Sequence, residues 1–119
     1  MTKVVFYRTG GVFYGFEECG HSGYGEAGDD ILCAALSAMT MLIINTVEVA
    51  YASDIDYSID EGATRVVVRA KSALPEYEED ERKRYAESGL FMSYFYQLNE
   101  LVEEYYDFLK VDVKDVDYI

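Results

Sequence analysis

The chain has 119 residues, half of them hydrophobic, which suffices for one folded domain with its own core and is too short for two. Its 10 basic and 23 acidic residues give a formal net charge of -13, which argues against binding to a phosphate backbone and favours a basic partner, or solubility alone. Two cysteines cannot build a disulfide scaffold. The apolar run at residues 4–7 is too short for a signal peptide, so a cytoplasmic protein with reduced thiols is expected.

The first half of the chain predicts a hairpin, a loop and a long helix. Residues 3–7 and 12–18 are rich in valine, phenylalanine and tyrosine, and Gly10 and Gly11 between them indicate a tight turn. A glycine-rich loop follows, and the helix is expected to begin at Asp29 or Asp30. Residues 31–50 are nearly as long and apolar as a membrane span, but they include polar side chains and have acidic flanks. A buried core helix is therefore expected.

The second half predicts a second hairpin. Residues 54–60 alternate, with Ile55, Tyr57 and Ile59 on the face expected to be buried. In residues 64–70 Val66 and Val68 are expected to point inward, while the outward arginines pair with the acidic residues of the preceding strand.

A second helix and a last edge strand complete the predicted domain. Pro75 is expected to start this helix, and Gly89 to interrupt it. Apolar residues at helical spacing predict one buried stripe, made of Phe91, Tyr94, Phe95, Leu98, Leu101, Val102, Tyr105 and Leu109. With an edge strand over residues 111–116, the sequence predicts one α+β domain over residues 1–119. This domain is a two-layer sandwich, a mostly antiparallel sheet packed against two long helices.

The candidate chemistry lies at His21, the only histidine, and at Cys33 in the long helix. If Asp30 caps that helix, Cys33 falls in the first turn, where unsatisfied N–H groups and the helix dipole favour a thiolate. The same N–H groups suit the oxyanion of a tetrahedral intermediate. The pair therefore predicts acyl transfer by a cysteine nucleophile. The competing interpretation is a buried structural cysteine and a histidine in a turn.

The residues around this pair also have two interpretations each. The loop containing Gly20, Gly23, Tyr24 and Gly28 is either a lid that closes over an extended peptide or a plain long turn. Asp29 or Asp30 either caps the helix or orients the imidazole. Ser37, one turn after Cys33, hydrogen-bonds either near the thiolate or to its own helix.

Cys19 raises the alternative of a metal site. Together with His21, Cys33 and a carboxylate it offers four ligands for zinc. The spacing of these residues matches no common zinc motif, so no metal is predicted.

The segment Gly20-His21-Ser22-Gly23-Tyr24 and the run Gly28-Asp29-Asp30-Ile31-Leu32-Cys33-Ala34-Ala35-Leu36-Ser37 resemble the ribosomal-processing cysteine proteases of bacteria, the Prp family. The resemblance implies that His21 is the general base and Cys33 the nucleophile, without cofactor or metal. It also implies a homodimer with the glycine loop as a lid, which removes an N-terminal extension from large-subunit ribosomal protein twenty-seven. Ser22, Gly25, Asp29 and the pair Tyr105-Tyr106 depart from the family pattern, and none of them touches the His–Cys pair.

The sequence is therefore interpreted as a cytoplasmic cysteine endopeptidase with a basic ribosomal substrate and no direct nucleic-acid or membrane partner. Two alternatives are a non-catalytic acidic module that binds a basic ribosomal tail, and a small zinc protein.

Overall fold

A computed structural model of the chain describes residues 1–20 and 27–118, with residues 27–30 described by their backbone alone. Its five strands form one sheet in the order β3-β4-β2-β1-β5. The strands are β1 (Thr2–Thr9), β2 (Val12–Cys19), β3 (Asp56–Asp60), β4 (Arg65–Arg69) and β5 (Leu109–Asp115). Two helices, α1 (Ala27–Asn45) and α2 (Glu81–Tyr105), complete the α+β fold. A π-helical turn, Thr46–Ala50, extends α1, and a short 3-10 turn, Lys71–Ala73, follows β4.

The sheet is mixed. Three of its pairings (β1–β2, β2–β4 and β3–β4) are antiparallel, as expected, whereas β5 pairs with β1 in parallel. The first hairpin is confirmed. Gly10 and Gly11 connect its strands with φ angles of 57° and 81°, and a two-residue turn of this twist needs positive φ at both positions.

Both helices contribute to one core on one face of the sheet. Val4, Phe6 and Phe16 of β1 and β2 are fully buried there, and Val68 confirms the predicted inward face of β4. The predicted stripe is confirmed along α2, where Phe91, Tyr94 and Leu98 are buried and its other members pack against the core. Leu109, which was predicted in the same stripe, is buried too, but it begins β5.

The second hairpin differs from its prediction at β3. Tyr57 and Ile59 are 45% and 52% exposed, although their alternation predicted a buried face. β3 is one of the two edge strands of the sheet, and only Ile55, just before it, packs against the core. Across this hairpin Arg69 pairs with Asp56 at 2.5 Å as expected, whereas Arg65 pairs with Glu17 of β2 at 2.8 Å.

The beginning of α2 was wrongly predicted at Pro75, which lies in a turn. The helix begins at Glu81, because the Asp80 carboxylate caps it by accepting a hydrogen bond from the Arg82 backbone N–H at 2.9 Å. The interruption predicted at Gly89 is wrong as well. The helix is continuous there, since an isolated glycine weakens a helix by about 1 kcal/mol without breaking it.

The prediction that α1 is a buried core helix is confirmed for only one of its faces. The stretch Ile31–Ala50 has a mean hydropathy of 1.8 and, by length and composition only, could cross a membrane, yet a third of it (33%) is buried inside the fold. Leu32, Leu36 and Val47 belong to the core. Large apolar side chains on the other side of this stretch are exposed, namely Ile31, Met41, Leu42 and Val49.

Candidate active site

Cys33 is a half-buried residue in the second turn of α1. It lies beside Leu32 and three residues before Leu36, both fully buried, so the core fixes this part of the helix. The helix begins at Ala27, and the predictions that it begins at Asp29 or Asp30 and that Asp30 is its N-cap are therefore wrong. The unsatisfied N–H groups belong to the turn before Cys33, toward which a helical Cα–Cβ bond is tilted.

Because Cys33 lies in the second turn of α1, the helix dipole lowers the energy of its thiolate less than was expected. The influence of the helix dipole falls off within the first turn, so it favours a Cys33 thiolate less than a first-turn position would. A general base is correspondingly more important for activating the thiol.

The other predicted site residues are placed only in part. His21, Gly23 and Tyr24 lie outside the described residues. The backbones of Gly28 and Asp30 belong to α1, and the proposed roles of both residues stay predictions. Ser37 is exposed one turn after Cys33.

Gly20 follows the last residue of β2, Cys19, and precedes His21, and its position requires glycine. Its φ is +87°, a conformation that residues with a side chain rarely adopt. A Cβ at Gly20 would also collide with the Met1 carbonyl oxygen. The chain therefore leaves β2 along a path that any larger residue would alter.

Cys19 and Cys33 are on different sides of the sheet. Side chains alternate along β2, so Cys19 and Glu17 lie on the face of the sheet that the helices do not cover, the open face. Cys33 is in the helical layer on the other side. Within residues 1–20 and 27–118 no three histidine, cysteine, aspartate or glutamate residues come together as a metal site. The zinc alternative also needs His21, which lies outside that part of the chain, so it stays untested.

Glu18 forms a buried polar cluster that the sequence interpretation missed. Its side chain is only 1% exposed. One carboxylate oxygen, Oε1, accepts hydrogen bonds from the Tyr94 hydroxyl and, at 3.0 Å, from Thr40 Oγ1. Burial raises the pKa of Glu18 to about 7, and the two hydrogen bonds oppose this shift. The signal was available, since Glu18 occupies the inward position two residues after Phe16.

Glu87 of α2 forms a second buried cluster. Its carboxylate accepts hydrogen bonds from Ser53 at 3.0 Å and from Ser72 at 2.5 Å. Burial is the main cause that raises its pKa, against these hydrogen bonds. This cluster holds α2 to the segments on either side of the β3–β4 hairpin, and it shares no residue with the Glu18 cluster.

The open face of the sheet has a cavity of about 460 Å³, whose lining includes Tyr7, Arg65, Arg69 and Lys114. Arg65 and Arg69 are engaged by Glu17 and Asp56, and Tyr7 donates a hydrogen bond to Glu17 at 2.5 Å. The cavity lies on the opposite side of the sheet from α1, so we assign no part of the chemistry of Cys33 to it.

Comparisons with known proteins agree with the resemblance found in the sequence. The family model described as cysteine protease Prp matches residues 1–110. A Streptococcus mutans protein of known structure is 26% identical, with a TM-score of 0.79 over 98% of this chain and 99% of its own. The ribosomal processing protease Prp of Staphylococcus aureus, in complex with a substrate peptide, is 19% identical, with a TM-score of 0.77 over 96% of this chain and 100% of its own. The same S. aureus protease with a covalently linked product peptide has a TM-score of 0.74, at 20% identity over the same shares of the two chains. No curated protein matches this chain.

Proposed function

This chain belongs to the Prp family of cysteine proteases, and we propose that it removes an N-terminal extension from large-subunit ribosomal protein twenty-seven during ribosome maturation. The observation that carries the proposal is Cys33, a half-buried cysteine near the beginning of a helix that the core fixes in place. The S. aureus protease binds a substrate peptide, and its structure with a covalently linked product peptide supports acyl transfer in this chain too.

In the proposed mechanism His21 takes the proton of Cys33, and the thiolate attacks the carbonyl carbon of the scissile peptide bond. Backbone N–H groups in the first turn of α1 stabilise the oxyanion of the tetrahedral intermediate. The leaving amine takes a proton from His21. Water, activated by His21, then hydrolyses the thioester and restores both residues.

The glycine loop completes the proposed site. Gly23 supplies conformational freedom between Gly20 at the end of β2 and Gly28 in the first turn of α1, and Tyr24 packs on the bound peptide as the loop closes. Asp30 and Ser37 have supporting roles near the helix that carries Cys33. No metal or cofactor takes part in this mechanism.

The charge of the chain suits the proposed substrate. A net charge of -13 attracts a basic ribosomal protein and raises its encounter rate at low salt. The same charge repels a phosphate backbone, so we propose no direct nucleic-acid partner. We propose no membrane partner either. We propose a cytoplasmic location, because ribosomes mature there.

We further propose that the enzyme is a homodimer formed through the outer face of α1. Leu42 is 61% exposed there, beside a groove of about 200 Å³ lined by Met39, Leu90 and Tyr94 among others. Contiguous exposed apolar surface is a mark of protein–protein interfaces, and Ile31, Met41 and Val49 are exposed on the same helical stretch. Leu42→Glu should convert the dimer into a monomer in light scattering. A wild-type monomer would refute the proposal.

The test of the catalytic proposal is the pH dependence of Cys33 alkylation by iodoacetamide in a Cys19→Ser background, with and without His21→Ala. We expect the thiol to titrate at least about one pH unit below 8.5, the ordinary cysteine value, and to return toward it without His21. Peptides from the ribosomal protein then test cleavage. An ordinary titration that is indifferent to His21 would contradict the Cys–His pair.

A further inference from the structure

We propose that Glu18 is a positioning residue for the Cys33 nucleophile, because its buried carboxylate fastens the end of β2 to the helix that carries Cys33. The link to α1 runs through Thr40 and a second link, to α2, runs through Tyr94. This inference rests on the proposed function, since it takes Cys33 to be the nucleophile.

The link joins α1, which carries Cys33, to β2, the strand that precedes His21 in the sequence. Glu18 lies three residues before His21, at the point where β2 ends. Thr40 follows Cys33 by seven residues, which is about two helical turns, so both residues lie toward the same side of α1. A hydrogen bond between Glu18 and Thr40 therefore fixes the register of α1 against β2.

The surroundings of the carboxylate make this link rigid. Within the sheet, Glu18 lies between Val4 of β1 and Val66 of β4, its partners on the two neighbouring strands. Both helices contribute a hydroxyl group, and each donates to the same oxygen. A buried carboxylate that lost these donors would be strongly destabilised, so the three side chains hold one another in place.

The link also depends on pH. Among the described residues, Tyr94 is the titratable group that contacts the carboxyl group, and its own pKa is raised by burial and by Glu18, so Tyr94 stays protonated. Val4, Val66 and Thr40 do not titrate. When Glu18 loses its proton, the hydrogen bonds from Tyr94 and Thr40 become charge-assisted and shorter on average, which tightens β2 against α1. The reactivity of Cys33 should therefore contain a contribution that follows Glu18, separate from His21.

Glu18→Gln tests the proposal, with Glu87→Gln as the matched control, since Glu87 is also buried and also accepts two hydroxyl hydrogen bonds. Both variants keep the size and an acceptor oxygen of the original side chain. Alkylation of Cys33 and cleavage of a substrate peptide are measured from pH 5.5 to pH 9 in a Cys19→Ser background.

For Glu18→Gln we expect kcat to fall roughly tenfold above pH 7, with KM little changed, because a small misplacement of a catalytic group is costly. The contribution to alkylation that titrates near pH 7 should disappear. Glu87→Gln should leave both profiles unchanged. If Glu18→Gln is too unstable, Tyr94→Phe and Thr40→Val each remove one link and should lower kcat in the same direction.

The outcomes separate the two proposals. If Glu18→Gln behaves like Glu87→Gln while Cys33→Ala is inactive, Glu18 is not a positioning residue and the proposed mechanism stands. If Cys33→Ala cleaves as fast as the wild type, the proposed mechanism fails, and the role of Glu18 fails with it.

Discussion

Replacement of Glu18 by glutamine should make the protein more stable at alkaline pH and change its stability little in acid. Burial raises the pKa of the folded-state carboxyl group to about 7, against an ordinary glutamate value of about 4.3. Between these values the unfolded chain has released the proton while the folded protein still binds it. The stability that comes from Glu18 is therefore full below about pH 4.3, falls as pH rises, and is lost above about pH 7.

The size of this loss follows from the same pKa values. From pH 5 to pH 8 the wild type should lose about 3 kcal/mol of unfolding free energy through Glu18, at about 1.4 kcal/mol per pH unit while the proton numbers differ by one. Glutamine does not titrate, so the difference between the two proteins isolates this contribution. Urea unfolding followed by circular dichroism at each pH measures it.

Glu17 supplies a control of opposite sign. Its pKa is lowered, first by the hydrogen bond from Arg65 and also by that from Tyr7, although partial burial opposes them. Its contribution is present above its unfolded pKa of about 4.3 and is lost as pH falls below that value, so Glu17→Gln should cost stability at pH 5 and above and little in stronger acid. Parallel curves for the wild type and Glu18→Gln from pH 5 to pH 8 would refute the reasoning about Glu18.

Other predictions concern the nucleophile, the end of β2 and metal. Cys33→Ala should reduce peptide cleavage to the background rate while changing the unfolding free energy by roughly 1 kcal/mol or less, and full activity would exclude Cys33 as nucleophile. Gly20→Ala should lower the unfolding free energy by roughly 1–3 kcal/mol, because alanine is strained at this φ and meets Met1, and wild-type stability in urea would contradict this. Treatment with EDTA should leave cleavage unchanged, and loss of activity that zinc restores would favour the zinc alternative.

The local parts of the fold were predictable from sequence, because each has a signal within a few residues. The glycine pair at Gly10 and Gly11 predicted the first hairpin, and helical spacing predicted the buried stripe of α2. The direction of β5 was not predictable, since alternation is the same in parallel and antiparallel strands. The exposure of Tyr57 and Ile59 depends on where the helices stop covering the sheet, which no local pattern reports.

The starts of the two helices and the buried Glu18 cluster were not predicted from the sequence, for two different reasons. Proline is compatible with a turn as well as with a first helical turn, and the Asp80 cap decided between them for α2. Cys33 was identified from its residue type and neighbours, but its place in the helix depended on a boundary that sequence resolves poorly. Its inward position two residues after Phe16 indicated that Glu18 is buried, but its partners, Thr40 and Tyr94, lie far from it in sequence and meet it only in the folded protein.

The parallel pairing of β1 with β5 has a consequence for the order of folding. The first strand to be synthesised needs the last one as its neighbour, from Thr2 opposite Leu109 to Arg8 opposite Asp115. Until β5 has been made, β1 exposes an unpaired edge, and such edges promote pairing between nascent chains. Contacts between the two ends of a chain also slow folding, since loop closure must precede them. The sheet can therefore be completed only after β5 has been synthesised, and a protein truncated before Leu109 should aggregate.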